Sequence, residues 1–170
     1  IPDIPADIVN MAYNAYKQFY DSISSVKMSE LPVNNNNLVV IMSGSEKDAG
    51  HVEKIENALM NESIRCRSFI SSAHKNTQDV LDLIKNYDDY NRLNRRIVWV
   101  TVAGRSNALS GVVAANSRFP VIACPPFANQ TDMMVNINST IQCPSKVPVM
   151  TILEPSNVAL AIRKIFNLHN

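Results

Sequence analysis

The chain has 170 residues, of which 46% are hydrophobic, and a formal net charge of +1. This length suits one domain with a sizeable core, and the interspersed charges exclude the basic field of a nucleic-acid-binding protein. No apolar run approaches the roughly 20 residues that span a bilayer. The three cysteines are odd in number and unevenly spaced, which argues against a disulfide framework or a zinc site and favours a reduced, cytoplasmic setting.

Residues 1–30 differ in pattern from the rest of the chain. After an Ile-Pro lead-in, Asp7 is a plausible N-cap, and apolar residues at helical spacing from Ile8 to Phe19 predict one helix that ends near Ser24. The run 31–37, Leu-Pro-Val-Asn-Asn-Asn-Asn, is polar and has no periodicity. It predicts a linker.

A regular alternation of apolar runs and helical patterns begins at Leu38. The runs read as strands buried on both faces, and strands of that kind separated by helices predict a parallel sheet in an α/β three-layer sandwich. The predicted strands are 38–42, 64–70, 97–102, 120–124 and 147–153; the predicted helices lie around 52–59, 77–87, 106–117, 132–141 and 157–168.

Polar segments follow three of these strands, at 44–48, 72–75 and 103–107. In open α/β sheets, ligands bind beyond the carboxyl ends of the strands, so we expect these segments to converge on one site. The chain has only four glycines among its 170 residues, whereas glycine usually makes up about 7% of the residues of a protein. Gly44 and Gly104 each close a predicted strand, which indicates tight turns or close approach of the backbone to a ligand.

Each segment has a chemical and a purely structural interpretation. Residues 44–48 lead into a helix N-terminus that can bind an anion, or they form a turn with Asp48 as N-cap. His74 can exchange a proton near neutral pH, or it is a loop histidine that bonds backbone. Residues 103–107 form an oxyanion cradle with Ser106 capping the next helix, or a simple strand-to-helix turn. His51 and His169 lie at helix ends, where solvent or dipole roles are expected.

Four motifs in order carry a family resemblance. They are Gly44-Ser45-x-x-Asp48, Ser72-Ala73-His74-Lys75, the run from Ala103 to Gly111, and Cys124-Pro125-Pro126. Over about 38–168 the chain resembles phosphoribosylaminoimidazole (AIR) carboxylases of the animal and spirochaete class, which use CO2 directly. Residues 1–30 resemble the last helix of SAICAR synthetase, which animals fuse to the carboxylase as one bifunctional enzyme.

The resemblance implies a flavodoxin-like sandwich over 38–170 and the reversible carboxylation of the aminoimidazole ribonucleotide in de novo purine biosynthesis. It assigns acid/base chemistry to His74 with Lys75 beside it. It implies no cofactor, ATP or metal, and a cytoplasmic homo-octamer with sites near subunit interfaces, in the neighbourhood of Pro144-Ser145. The implied substrate-binding residues are Gly44, Ser45, Lys47, Asp48, Ser72, Ala73, Ala103, Gly104, Arg105, Ser106 and Asn107.

Several positions depart from the family pattern. Lys47 stands where relatives commonly have serine, Asn136 where they have an acid, and Lys146 where a glycine serves a turn that needs a positive φ. Two other functions therefore stay open. One is a weakened domain that assembles the octamer and binds nucleotide. The other is the mutase acting on the N5-carboxylated nucleotide, which Lys75 and the Gly-Arg-Ser-Asn run disfavour.

Overall fold

The computed structural model describes residues 36–89 and 96–168. They belong to one of two units into which the chain divides, Asn35–Asn170. The predictions for residues 1–30, for most of the linker and for His169 lie outside the described residues. Asn37, assigned to the linker, is instead the first residue of a strand.

The described residues form one five-stranded sheet. In the order β2-β1-β3-β4-β5 every neighbouring pair is parallel, which confirms the predicted parallel sheet and gives the strand order of flavodoxin-like proteins. The strands are β1 Asn37–Ser43, β2 Cys66–Ile70, β3 Arg96–Val102, β4 Val121–Ala123 and β5 Met150–Thr151.

Five α-helices and one 3-10 turn connect or follow these strands. The helices are α1 Ala49–Asn61, α2 Thr77–Asp89, α3 Ala108–Asn116, α4 Gln130–Ile141 and α5 Pro155–Asn167, and the turn is Glu46–Asp48. Within residues 36–89 and 96–168, no helix is long and apolar enough to cross a membrane.

The predicted ends of several elements were wrong, each for a local reason. β5 has two residues rather than seven, since Pro148 has no N–H for a ladder bond. Helix α4 begins two residues early because the Asn129 side chain accepts from the Asp132 N–H. Helix α5 also begins early, at Pro155, which suits the first turn of a helix. The edge strand β2 is partly exposed rather than buried on both faces.

The core lies on both faces of the central strands β1 and β3. Successive side chains point to opposite faces, so Val39 and Ile41 pack with helices α1 and α5, while Val40 and Met42 pack with α2 and α3. The register pairs Ser43 with both Ile70 and Val102 in the neighbouring strands. The loops after β1, β2 and β3 therefore leave the sheet at the same level.

Candidate active site

The three loops after β1, β2 and β3 enclose one cavity of about 300 Å³, within the usual range for small-molecule sites. It includes every predicted site residue except Lys75 and Asn107, and it adds two apolar residues from the start of α3. The lining consists of Gly44, Ser45, Lys47, Asp48, Ser72, Ala73, His74, Ala103, Gly104, Arg105, Ser106, Ala108 and Leu109.

The loop after β1 is shaped by Ser45. Its Oγ accepts a hydrogen bond from the Lys47 N–H at 3.2 Å, and its carbonyl oxygen accepts from the Asp48 N–H at 3.1 Å. Asp48 occupies the N-cap position of α1, but its carboxylate makes no capping bond. Burial raises the pKa of this carboxyl group. Because it makes no capping bond, the Asp48 side chain is available as an acceptor for hydroxyl groups in the cavity.

The loop after β2 presents His74. The Ser71 N–H donates to the Ser43 carbonyl oxygen at 2.9 Å, and the Thr77 hydroxyl donates to the Ala73 carbonyl oxygen at 2.6 Å. Both ends of the loop are thus fixed. The His74 side chain is exposed and makes no hydrogen bond within the described part of the chain, so the interpretation as a histidine that merely bonds backbone is wrong. Lys75 is exposed and lies outside the lining.

The loop after β3 corrects one prediction, the residue that caps α3. Asn107, not Ser106, is the N-cap of α3: its Oδ1 accepts from the Ser110 N–H at 3.2 Å and from the Ser110 hydroxyl at 2.9 Å. Asn107 is buried and also bonds α4, through its N–H to the Ser139 Oγ at 2.6 Å and through Nδ2 to the Thr140 Oγ1 at 3.0 Å. Its contacts fix the loop from behind.

Nothing in the sequence indicated that Ser139 and Thr140 support the site, because two neighbouring hydroxyl residues in a helix are also typical of an exposed polar surface. Only the tertiary contact of α4 with the loop after β3 makes them part of the site's support.

No described glycine has a positive φ, so Gly44 and Gly104 do not need the left-handed backbone that glycine adopts readily. The close approach of their backbone to a ligand stays a prediction. A Cβ added to Gly44 would lie 3.6 Å from the Ala103 Cβ, and one added to Gly104 would lie 3.4 Å from the Asn136 Nδ2, both near ordinary contact. Positive φ occurs instead at Ser106, with 52°, and at Lys146, with 68°. The latter confirms that the turn at Lys146 needs this conformation.

The charge of the cavity favours an anion. Lys47 and Arg105 contribute cationic side chains, whereas Asp48 is the one acidic residue of this lining. Arg105 lies 3.6 Å from the Asp132 carboxylate, but its side chain is 77% exposed, and exposed pairs of this kind contribute little. The guanidinium group is therefore free to turn toward a ligand.

A second cavity of about 430 Å³ contains the other described histidine. His51 Nε2 lies 3.3 Å from the Cys124 Sγ, a contact that the sequence did not indicate. Burial lowers the pKa of His51 and raises the pKa of the Cys124 thiol to about 12. Cys124 is thus a buried free thiol of low reactivity. No group of three potential metal-binding side chains occurs in the described segments.

A family model described as AIR carboxylase matches residues 38–170. The chain belongs to the AIR carboxylase family. This confirms the resemblance that the four motifs indicated. The match covers the described sheet from Leu38 onward and all three loops of the cavity.

Relatives with closely similar sequences carry the same description. The phosphoribosylaminoimidazole carboxylase of Archaeoglobus fulgidus is 45% identical over 129 residues, which is 76% of this chain and 68% of the relative. That of Treponema denticola is 39% identical over 133 residues, 78% of this chain and 81% of the relative. The crystal structure of Treponema denticola PurE aligns with a TM-score of 0.71 at 39% identity, covering 79% of this chain and 82% of that one. This similarity confirms the flavodoxin-like fold.

Animal relatives are longer. The bifunctional phosphoribosylaminoimidazole carboxylase/phosphoribosylaminoimidazole succinocarboxamide synthetase of Drosophila melanogaster is 32% identical over 171 residues, covering 91% of this chain but 39% of the relative. A match of that extent cannot fit within residues 38–170. It therefore reaches into residues 1–37.

Proposed function

We propose that this AIR carboxylase family member catalyses the reversible carboxylation of 5-aminoimidazole ribonucleotide by CO2, forming 4-carboxy-5-aminoimidazole ribonucleotide in de novo purine biosynthesis. One observation carries the proposal: the loops after β1, β2 and β3 meet around a single cavity that contains an unbonded histidine and a cationic lining. The relatives from Archaeoglobus fulgidus and Treponema denticola are named for this carboxylase activity.

The loop after β1 suits the ribose phosphate. Lys47 supplies a positive charge, Ser45 a hydroxyl group, and the N-terminus of α1 comes directly after them. The Asp48 carboxylate accepts hydrogen bonds, so it is the group for the ribose hydroxyls. Ser72, in the neighbouring loop, adds a hydroxyl group to the part of the cavity that binds the ribose phosphate. The imidazole ring then extends toward His74 and the loop after β3.

Carboxylation forms one carbon–carbon bond and releases one proton. The electron-rich C4 of the aminoimidazole attacks the carbon of CO2, and the proton on C4 then passes to His74, which restores the aromatic ring. The reverse reaction returns this proton to C4 as CO2 departs. Arg105, the backbone around Gly104 and the Ser106 hydroxyl stabilise the new carboxylate, and Lys75 adds positive charge beside His74. The enclosed site holds both reactants in contact.

The proposed reaction uses no cofactor, ATP or metal ion, because the neutral CO2 molecule is itself the electrophile. We further propose a cytoplasmic homo-octamer, with the Pro144-Ser145 segment near the sites at subunit interfaces, and fusion to or association with a SAICAR synthetase. The animal relatives named for both activities support the last point.

The direct test is incubation with 5-aminoimidazole ribonucleotide and bicarbonate without ATP, and then detection of the carboxylated product. We expect product, and we expect His74→Asn to lower kcat by about 10²–10⁴-fold, the usual contribution of an acid/base residue. His51→Asn is the matched control, since His51 lies outside the cavity. No product under conditions in which the Treponema denticola enzyme is active would refute the proposal.

The same assay separates the alternatives. Rapid conversion of the N5-carboxylated nucleotide, without turnover of the ribonucleotide and CO2, would identify the mutase. A weakened binding domain would form stable oligomers that bind the nucleotide, and the His74→Asn substitution would change no measurable rate.

A further inference from the structure

Helix α4 supports the loop after β3 along its whole length. One face of the helix carries polar residues at positions i, i+4, i+7 and i+8, which lie above one another. The contacts pair Arg105 with Asp132, and Asn107 with both Ser139 and Thr140. The Asn136 amide lies where a Cβ added to Gly104 would meet it at 3.4 Å. The loop that faces the substrate cavity is therefore shaped from behind by a helix that contributes no lining residue of its own.

Asn136 is the unusual member of this face. Its side chain is 3% exposed, and its Nδ2 donates a hydrogen bond to the Pro126 carbonyl oxygen at 2.7 Å. That bond directs the amide toward Gly104, whose added Cβ would lie 3.4 Å from Nδ2 and 3.7 Å from Oδ1. Oδ1 itself has no hydrogen-bond partner among the described residues. Buried acceptors without a donor are rare in folded proteins and need a functional or structural reason.

The loop in front of Asn136 needs external support. Ser106 has a φ of 52°, a conformation that is unfavourable for a residue with a Cβ and persists only where the surroundings enforce it. The backbone N–H groups of Arg105 and Ser106 make no hydrogen bond within the described part of the chain. Those groups are available to an oxyanion only if the backbone on either side is fixed. Asn107 fixes one side through its hydrogen bond to Ser139. The buried Asn136 amide lies on the other side, where it would meet a Cβ on Gly104 at 3.4 Å.

We propose that Asn136 is a positioning residue for the carboxylation step. This inference rests on the proposed function. Nδ2 anchors the side chain to Pro126, the amide holds the backbone at Gly104 in place, and Oδ1 is reserved for a backbone donor of the loop in the substrate-bound enzyme. The ribose phosphate binds at the other end of the cavity, so Asn136 acts on the reacting end and not on overall affinity.

Asn136→Asp introduces the acid that relatives commonly have at this position, and in this chain it changes one property of the anchor. An ionised carboxylate has no hydrogen to donate to the Pro126 carbonyl oxygen, whereas a protonated one does. Burial favours the protonated form, so this variant contains an anchor that is lost as the pH rises. Asp132 is the charged residue one turn away on α4, and it pairs with Arg105 of the loop after β3. The sequences of α3 and β5, which pack against α4, carry no charged residue.

The test compares wild type with Asn136→Ala, Asn136→Asp and the control Ser117→Ala, which removes a part-buried hydroxyl that bonds the Trp99 Nε1 far from the cavity. We expect Asn136→Ala to lower kcat at least tenfold while KM changes less than threefold. We expect kcat of Asn136→Asp, relative to wild type, to fall steadily from pH 6 to pH 8.5. Ser117→Ala should keep the wild-type kcat at every pH.

Amide hydrogen exchange gives a readout that does not depend on turnover. Asn136→Ala should accelerate exchange in a peptide covering residues 103–107 at least tenfold, and Ser117→Ala should leave that peptide unchanged. A kcat equal to that of Ser117→Ala, a pH-independent ratio for Asn136→Asp, or unchanged exchange in the loop each overturns the positioning role. Wild type without any product refutes the proposed function instead, and the exchange result then decides whether Asn136 positions the loop.

Discussion

The Asn107→Ala variant tests whether Asn107 supports the loop after β3. A supporting residue should lower the free energy of unfolding when it is replaced, whereas a residue that only contacts substrate should not. The Asn107 side chain makes three hydrogen bonds: two from Ser110 to Oδ1, and one from Nδ2 to Thr140. Each is worth about 0.5–1.5 kcal/mol net, so their loss should lower the free energy of unfolding by about 2–4 kcal/mol. The Thr140 hydroxyl still donates to the Asn136 carbonyl oxygen in the variant. Because Thr140 keeps this partner, we expect a loss near the middle of this range.

Asn129→Ala is the matched control. Asn129 is also an asparagine N-cap, but it is exposed, and its side chain accepts one bond, from the Asp132 N–H at 3.0 Å. Replacing such a cap costs about 1 kcal/mol. Urea unfolding of both variants at one protein concentration measures the difference, because the apparent stability of an oligomer such as the proposed octamer depends on concentration. A loss in Asn107→Ala no greater than that in Asn129→Ala would show that the buried bonds do not hold the loop.

Three further outcomes are expected from local chemistry. Ser63 ends α1 with a φ of 57°, so Ser63→Gly should raise the free energy of unfolding by about 1 kcal/mol, whereas a shift of the urea midpoint to lower concentration would contradict this. The pKa of Cys124 is raised to about 12, so an alkylating reagent at pH 8 should leave Cys124 unmodified until urea is added, as mass spectrometry of its peptide can show. Burial lowers the pKa of His51, so its contribution to stability is present above the unfolded pKa near 6.5 and is lost as pH falls. Wild type should therefore lose stability between pH 7 and pH 5 more steeply than His51→Gln, and parallel curves would contradict this.

The central strands were predictable because they are continuous apolar runs that only a two-sided core can bury. The runs that became β1 and β3 were predicted to within a residue at each end, and the polar segments after them located the site. Strand β5 was overestimated, since an apolar run that contains Pro148 cannot use all of its backbone in a ladder.

The site's lining was predictable and its support was not. Ser45, His74 and Ser106 come directly after strands in the sequence. They were predicted to line the site because ligands of open α/β sheets bind beyond the carboxyl ends of the strands. Ser139 lies 32 residues beyond Asn107, and only the packing of α4 brings the two together. The cap of α3 was misplaced by one residue because Ser106 and Asn107 are both good capping residues, and the buried contacts with α4 select the second.

The packing of α5 on the sheet has a consequence for how the protein is made. Val158, Ile162 and Phe166 are buried in the same cluster as Val39 and Ile41, although α5 comes after every other described element in the sequence. Helix α1 covers only part of this face of β1 and β3. The rest of the apolar face therefore stays exposed in the nascent chain until α5 has left the ribosomal exit tunnel. We expect nascent chains that stop before Pro155 to bind chaperones or aggregate, and the parallel sheet to reach its final state only after synthesis of α5.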